Sequence, residues 1–189
     1  MILIRVILLT PFLILFSCEE AEYQLNNPSD PFNMDLDPPA LFIHPLEITR
    51  SVNDTFSIQI YGLGLNPMAG AHIALEFDPG CDDLDDLALC SRIENIEPGL
   101  LFTGTNTPII TIDNTEKAKP DIYLFYLPDM ISDQSDGGTG PLAKIYFRTG
   151  SRTGESQIKL AEGTKIRDKN NNEVFVNIDE KGFGAFIVE

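Results

Sequence analysis

Twice between residues 56 and 79 the chain alternates apolar and polar positions with a period of two. Phe56, Ile58 and Ile60 alternate with Ser57, Gln59 and Tyr61, and Ile73, Leu75 and Phe77 alternate with His72, Ala74 and Glu76. Successive side chains of a strand point to opposite faces, so each segment offers one apolar face to a core and the other to water or a partner. Gly62, Gly64, Asn66, Pro67 and Gly70 lie between them and predict a turn-rich connection. Short runs rich in Ile, Val, Phe and Tyr recur at 109–112, 122–127, 142–147, 156–160, 174–178 and 183–188, separated by Asn, Asp, Gly and Pro clusters. Residues 40–48 form another, and Pro45 within it suits an edge strand or a strand that bends between sheets. The best helical candidate, 82–89, makes only about two turns. The pattern predicts an all-β chain, a two-sheet antiparallel sandwich or jelly roll.

Before these strands stands a different pattern. Residues 1–16, MILIRVILLTPFLILF, place one Arg near the start of an apolar run, the layout of an export signal. The run after Arg5 is shorter than the roughly 20 apolar residues that cross a bilayer core, so it predicts a signal peptide rather than a span. Its end, Leu15-Phe16-Ser17-Cys18, resembles a bacterial lipobox, with Phe16 bulkier than the small or hydroxylated residue usual there. That resemblance implies cleavage after residue 17, a lipid on Cys18, membrane attachment through that lipid alone, and a place at the outer membrane or cell surface. Residues 19–39 are acidic, rich in Asn and Pro and aperiodic, so 18–39 reads as a flexible tether reaching on the order of 70 Å when fully extended. Residues 40–189 then make one domain, long enough for a real core.

Charge and cysteines narrow the partners. The formal charge of the whole chain is -16, and loss of the signal removes Arg5 and no carboxylate, leaving -17. Such a surface repels nucleic acid and anionic headgroups, which excludes both as partners. With Cys18 carrying lipid, Cys81 and Cys90 remain as an even pair in an oxidising compartment and are expected to form a disulfide. In the chain-entropy model that bridge contributes about 2.5–3 kcal/mol.

For reaction chemistry the residues offer little. His44 and His72 stand in separate strands, with no Cys or carboxylate spacing that makes a zinc or nucleophile site, and no Gly-x-Ser-x-Gly turn occurs. The acids Asp82-Asp83 and Asp85-Asp86 read as solvated or calcium-binding loop carboxylates before they read as a glycosidase pair. Asp168, Asn170 and Asn172 echo the first half of a calcium loop, but Glu173 stands where such a loop needs Gly, so a hairpin turn is the better reading. The expectation is no catalytic residue, no resident metal and no cofactor, with calcium at either acidic loop the one ion to weigh.

Several segments, in order, carry a family resemblance. Asn53-Asp54-Thr55-Phe56 stands where cohesin domains often have Gly-Asp-Thr-Phe. AGAHIALEFDP (69–79) is similar to their small-residue turn, alternating strand and aromatic-Asp-Pro ending. IENIEPGLLFTG (93–104) follows, with a turn at Pro98-Gly99; then GTGPLAKIYFRTGSRTGESQIKL from Gly138, and a late hairpin in IRDKNNNEV (166–174). The chain from about residue 38 onward thus resembles a cohesin, the bacterial module that binds dockerin domains. It departs from cohesins in the Cys-bracketed insertion 81–90 and in a lipid anchor in place of a scaffoldin context.

The resemblance implies a non-catalytic interaction module, displayed on the cell envelope, whose sheet face takes a dockerin-like protein domain. The alternative is a carbohydrate-binding sandwich for a polysaccharide, and a third reading is a structural envelope lipoprotein. Sugar platforms favour exposed aromatic rings, and the chain has no Trp, 5 Tyr and 12 Phe, most of them needed inside, which leans toward a protein partner. The resemblance also puts strands 71–77 and 122–127 in one sheet whose outer surface is the docking face. Alternation sends His72, Ala74 and Glu76 outward. Residues 122–127 are apolar on both faces, so alternation leaves their orientation open; Tyr123 and Phe125 are chosen as the outward pair because aromatic side chains anchor interfaces. Cys18→Ala is expected to release the protein from membranes, and an Ala variant that still sediments with them after salt washing overturns the lipid attachment.

Overall fold

The faces set by alternation in two central strands decide how the layers meet. The computed structural model describes residues 35–77, 92–102, 107–113, 115–116, 119–127, 137–151 and 153–189. Thirteen strands are formed there: β1 (Ala40–His44), β2 (Glu47–Arg50), β3 (Thr55–Leu65), β4 (Gly70–Phe77), β5 (Arg92–Pro98), β6 (Ile109–Asp113), β7 (Asp121–Phe125), β8 (Gly138–Arg148), β9 (Gly154–Leu160), β10 (Lys165–Arg167), β11 (Glu173–Val174), β12 (Asn177–Ile178) and β13 (Gly184–Val188). The first sheet runs β12-β1-β3-β8-β5, and the second runs β11-β10-β4-β9-β13-β2, with β7 pairing β4 and β6 pairing β7. Phe56, Ile58 and Ile60 of β3 and Ile73 and Leu75 of β4 are buried between them. There they meet Ile145 and Phe147 of β8, Ile158 and Leu160 of β9, and Phe186 and Val188 of β13 in one core. Phe56 stacks on Phe147 at 5.2 Å and reaches Phe186 of the opposite sheet at 5.4 Å. Close-packed aromatic contacts of this kind hold sheet to sheet.

Two of the chain's passages between the sheets each fall inside a single apolar run. The strand interrupted by Pro45 bends between sheets: β1 lies in the first beside β3, and β2 lies at the edge of the second beside β13. Residues 174–178, expected as one strand, are two. β11 pairs β10 in the second sheet, while β12 pairs β1 in the first, and Phe175 at the crossing is 69% exposed. Because the chain changes sheet, β2 runs parallel to β13 and β12 parallel to β1, so the sheets are mixed rather than wholly antiparallel.

Two further departures from the sequence pattern have local causes. Gly62 and Gly64, expected in a turn, continue β3 to Leu65, because β-bulges at 60/61 and between 62 and 65 absorb the irregularity and Gly64 takes φ +58°. β5 escaped the alternation because a bulge between Ile93 and Asn95 breaks its period. Next to it, Gly99 passes so close to β8 that a Cβ would lie 2.1 Å from the Pro141 carbonyl oxygen, which only glycine permits. The segment 82–89 and Cys18, Cys81 and Cys90 lie outside the described residues.

Residues 35–39, the end of the segment read as tether, pack on the outer side of β1. Leu36, Ala40, Phe42 and Leu63 form a second small cluster, with Tyr61 against it. Asn177 Nδ2 donates to the Asp37 carbonyl at 2.6 Å, and Lys181 pairs with Asp35. Lys181 holds the Asp35 carboxyl below the usual carboxylate range.

β9 and β10 lie end to end along one edge of β4, and the Thr164 hydroxyl fills the gap between them. It accepts from the Ala74 N–H and donates to the Ala74 carbonyl, both at 3.1 Å. Thr164→Val leaves these buried backbone groups without that partner and should cost about 1–3 kcal/mol in urea unfolding. A loss near zero would mean that water replaces the hydroxyl.

Burial pushes the partly buried His44 imidazole down from its ordinary value. The unfolded chain then takes up a proton first, so stability is full above the unfolded value near about 6.5 and falls as the pH drops below it. His44→Gln should flatten the difference in unfolding free energy between pH 7 and pH 5; an unchanged slope places the pH dependence elsewhere.

Candidate interaction face

In β7, Ile122 and Leu124 are fully buried, so Tyr123 and Phe125 point outward, Tyr123 being 36% exposed. In β4, Ala71, Ile73 and Leu75 point in, so Gly70, His72, Ala74 and Glu76 point out. The antiparallel register sets His72 opposite Tyr123, Gly70 opposite Phe125 and Ala74 opposite Asp121. On the other edge of β4, Lys165 lies opposite His72 and Arg167 opposite Gly70. Thr111 and Ile109 of β6 complete the two rows beyond Tyr123 and Phe125. His72, Glu76, Tyr123 and Phe125 therefore share one surface of the second sheet.

The centre of that surface is a ring pair. His72 and Tyr123 stack with centroids 4.5 Å apart and planes 6° apart. Asp121 Oδ1 lies 2.6 Å from His72 Nε2 and fixes the ring edge. A carboxylate can only accept, so Nε2 carries the proton and donates. The result is an aromatic plate whose two rings are held in place, so that anything bound there would cost little further ordering. At one end Glu76 stands 3.9 Å from Lys119. Asp113, Glu116 and Asp121 lie around the same hollow. At the other end Lys165 and Arg167 approach Glu173 at 3.5 and 3.7 Å. The face thus runs from an acidic end through aromatic rings to a basic end.

Ala74 lies on this side but is only 8% exposed. The loop 161–164 folds over it, bringing Gly163 so close that a Cβ would stand 3.1 Å from Ala74 Cβ. It shapes the face from beneath and offers a partner no surface. The 168–172 segment is a hairpin turn between β10 and β11. Asp168 accepts from the Asn170 and Asn172 amides at 2.8 Å and from Asn172 Nδ2 at 3.0 Å. These bonds, the Asn172 side chain foremost, hold its carboxyl below the usual range. Among the described residues no group of three His, Cys, Asp or Glu is arranged to hold a metal ion. The acidic loop 82–86 lies outside them.

Asp121, Gly70, Arg167 and Lys165 belong to the face but carried no signal in the sequence. Asp121 and Gly70 stood in apparent turns, and β10 is three residues long, too short for a period to register. A His and a Tyr, each outward in its own strand, were the only trace of the central pair, and their pairing is a matter of register.

No protein-family model matches the sequence. No curated protein matches it either. Solved structures do. The sixth cohesin of the scaffoldin B of Acetivibrio cellulolyticus, solved in complex with a mutant Cel5 dockerin, superposes with TM-score 0.61 at 14% identity, over 79% of this chain and 98% of that one. The cohesin CaCohA2 of Clostridium acetobutylicum gives TM-score 0.59 at 14% identity over 79% and 90%. A non-cellulosomal cohesin from the archaeon Archaeoglobus fulgidus gives 0.57 at 13% identity over 79% and 90%. The domain has the cohesin fold.

Proposed function

We propose that the protein is a non-catalytic interaction module whose β6-β7-β4-β10 face docks a dockerin-like protein domain, held at the cell envelope through lipid on Cys18. The observation that carries this reading is the outward, pre-stacked pair of Tyr123 and His72, flanked by Phe125, on a sheet surface of a cohesin fold. Solved structures with this fold include complexes with dockerins, that of the Acetivibrio cohesin among them. Binding energy at protein interfaces concentrates in a few central aromatic or Arg side chains ringed by polar groups, and this face has that make-up. Fold alone does not assign function; the reading rests on what the outer surface offers.

Tyr123 is exposed, and the buried Ile122 and Leu124 hold β7, so the double variant Tyr123→Ala, Phe125→Ala should keep the fold. Against dockerin domains encoded in the same genome, measured by calorimetry, it should lose roughly 30- to 1000-fold in affinity. Unchanged affinity moves the site off this face. Retention on an insoluble polysaccharide, with no dockerin bound by the native protein, would favour the carbohydrate reading instead.

A further inference from the structure

Gly70 opens β4, buried yet without a backbone reason to be glycine. Its φ lies outside the left-handed region, and a Cβ there would meet nothing nearer than Phe125 Cβ at 3.4 Å, an ordinary contact. A strand glycine weakens its strand, and one that the backbone does not need commonly marks close approach by another molecule. What Gly70 supplies is room. In the row Ile109, Phe125, Gly70, Arg167 it is the one position without a side chain. Over it lies a groove of about 380 Å³, bounded by Phe125, Tyr123, His72 and Arg167 and by the turn at Asp168 and Lys169.

The groove's polar rim is cationic. Arg167 at the end of β10 and Lys169 in the turn that follows line it, in a chain with 13 basic and 29 acidic residues. Arg167 is aimed by donating to the Asn171 carbonyl at 3.0 Å, and its Nη2 stands 3.7 Å from Glu173, beyond hydrogen-bond reach, so further guanidinium donors stay open. Lys169 pairs with no acid among the described residues. Asp168 is beside them, but its oxygens are engaged within the turn.

We propose that this groove is an anchor pocket for one bulky apolar side chain of the docking partner, accompanied by a carboxylate that meets Arg167 and Lys169. It rests on the reading of the face as a protein-docking surface and names the chemistry of the group that enters it. The aromatic walls take the apolar part, and the cations on one side give the entering group a fixed direction.

The probe is 3-phenylpropionate, a phenylalanine-like ring with a carboxylate, titrated into the ¹⁵N-labelled protein and followed by ¹H–¹⁵N spectra. Saturable shifts are expected at Gly70, Tyr123, Phe125 and Arg167, with low-millimolar affinity for a ligand of this size. The neutral amide, 3-phenylpropanamide, should bind about threefold or more weakly. Arg167→Gln should bring the acid down to the amide's affinity while leaving the amide unchanged. Gly70→Leu fills the groove and should abolish both, and Tyr123→Ala, which removes an exposed wall, gives the same loss should the Leu variant misfold. Absence of saturable shifts at these residues up to roughly 20 mM, equal binding of acid and amide, or shifts that survive both variants would each overturn the pocket. A dockerin domain bound equally by native and Gly70→Leu protein overturns the anchor and leaves the docking face standing. A groove that takes the acid in a protein that binds no dockerin keeps the pocket and ends the dockerin reading.

Discussion

A strand can bury one face and must show the other, and a domain built of strands encloses a core only if its chain passes from one layer to the next. That constraint organises the molecule. The inward faces of β3 and β4 meet across the sandwich, and Phe56, Phe147 and Phe186 bind the layers at their centre. The chain crosses between sheets at Pro45 and again at Phe175, and each crossing lays a short strand parallel to one from elsewhere in the chain. Once the inner faces are spent on the core, whatever function the domain has must be written on the outer ones.

How far that was legible in the sequence follows from the range of each interaction. The inward set of β3 and of the described part of β4 could be read directly, since each lies within one period-two run of a few residues. Tyr123 and Phe125 could not be oriented from 122–127, where both faces are apolar; burial of Ile122 and Leu124 decides it. The bulge in β5 erased its alternation, and the three residues of β10 never had one. Register is non-local, so nothing near His72 in the chain announces Tyr123 and Asp121 from about fifty positions on. Arg167 and Gly70 meet for the same reason: only pairing across β4 makes them neighbours.

Identities of 13–14% alongside TM-scores near 0.6 have a physical reading. Cores tolerate wide exchange among hydrophobic residues of suitable volume, provided the inward and outward pattern is kept. Outward residues are free of that demand. Ring stack, acidic end and basic end are therefore features this chain could vary without losing the architecture, and in the proposed docking role such variation would tune partner choice.

The docking of residues 35–39 also has a mechanical side. β1 follows directly from them and is clasped along both edges, by β3 antiparallel and by β12 parallel, while Lys181 and Asn177 grip Asp35 and Asp37 at its entrance. Tension drawn along β1 from that end cannot open the ladder one rung at a time. It loads both flanking ladders in shear, so their hydrogen bonds must yield together, and the strand that carries the pull belongs to the sheet opposite the aromatic face. A partner seated on β4 and β7 would be borne by a layer that the pulling strand does not belong to.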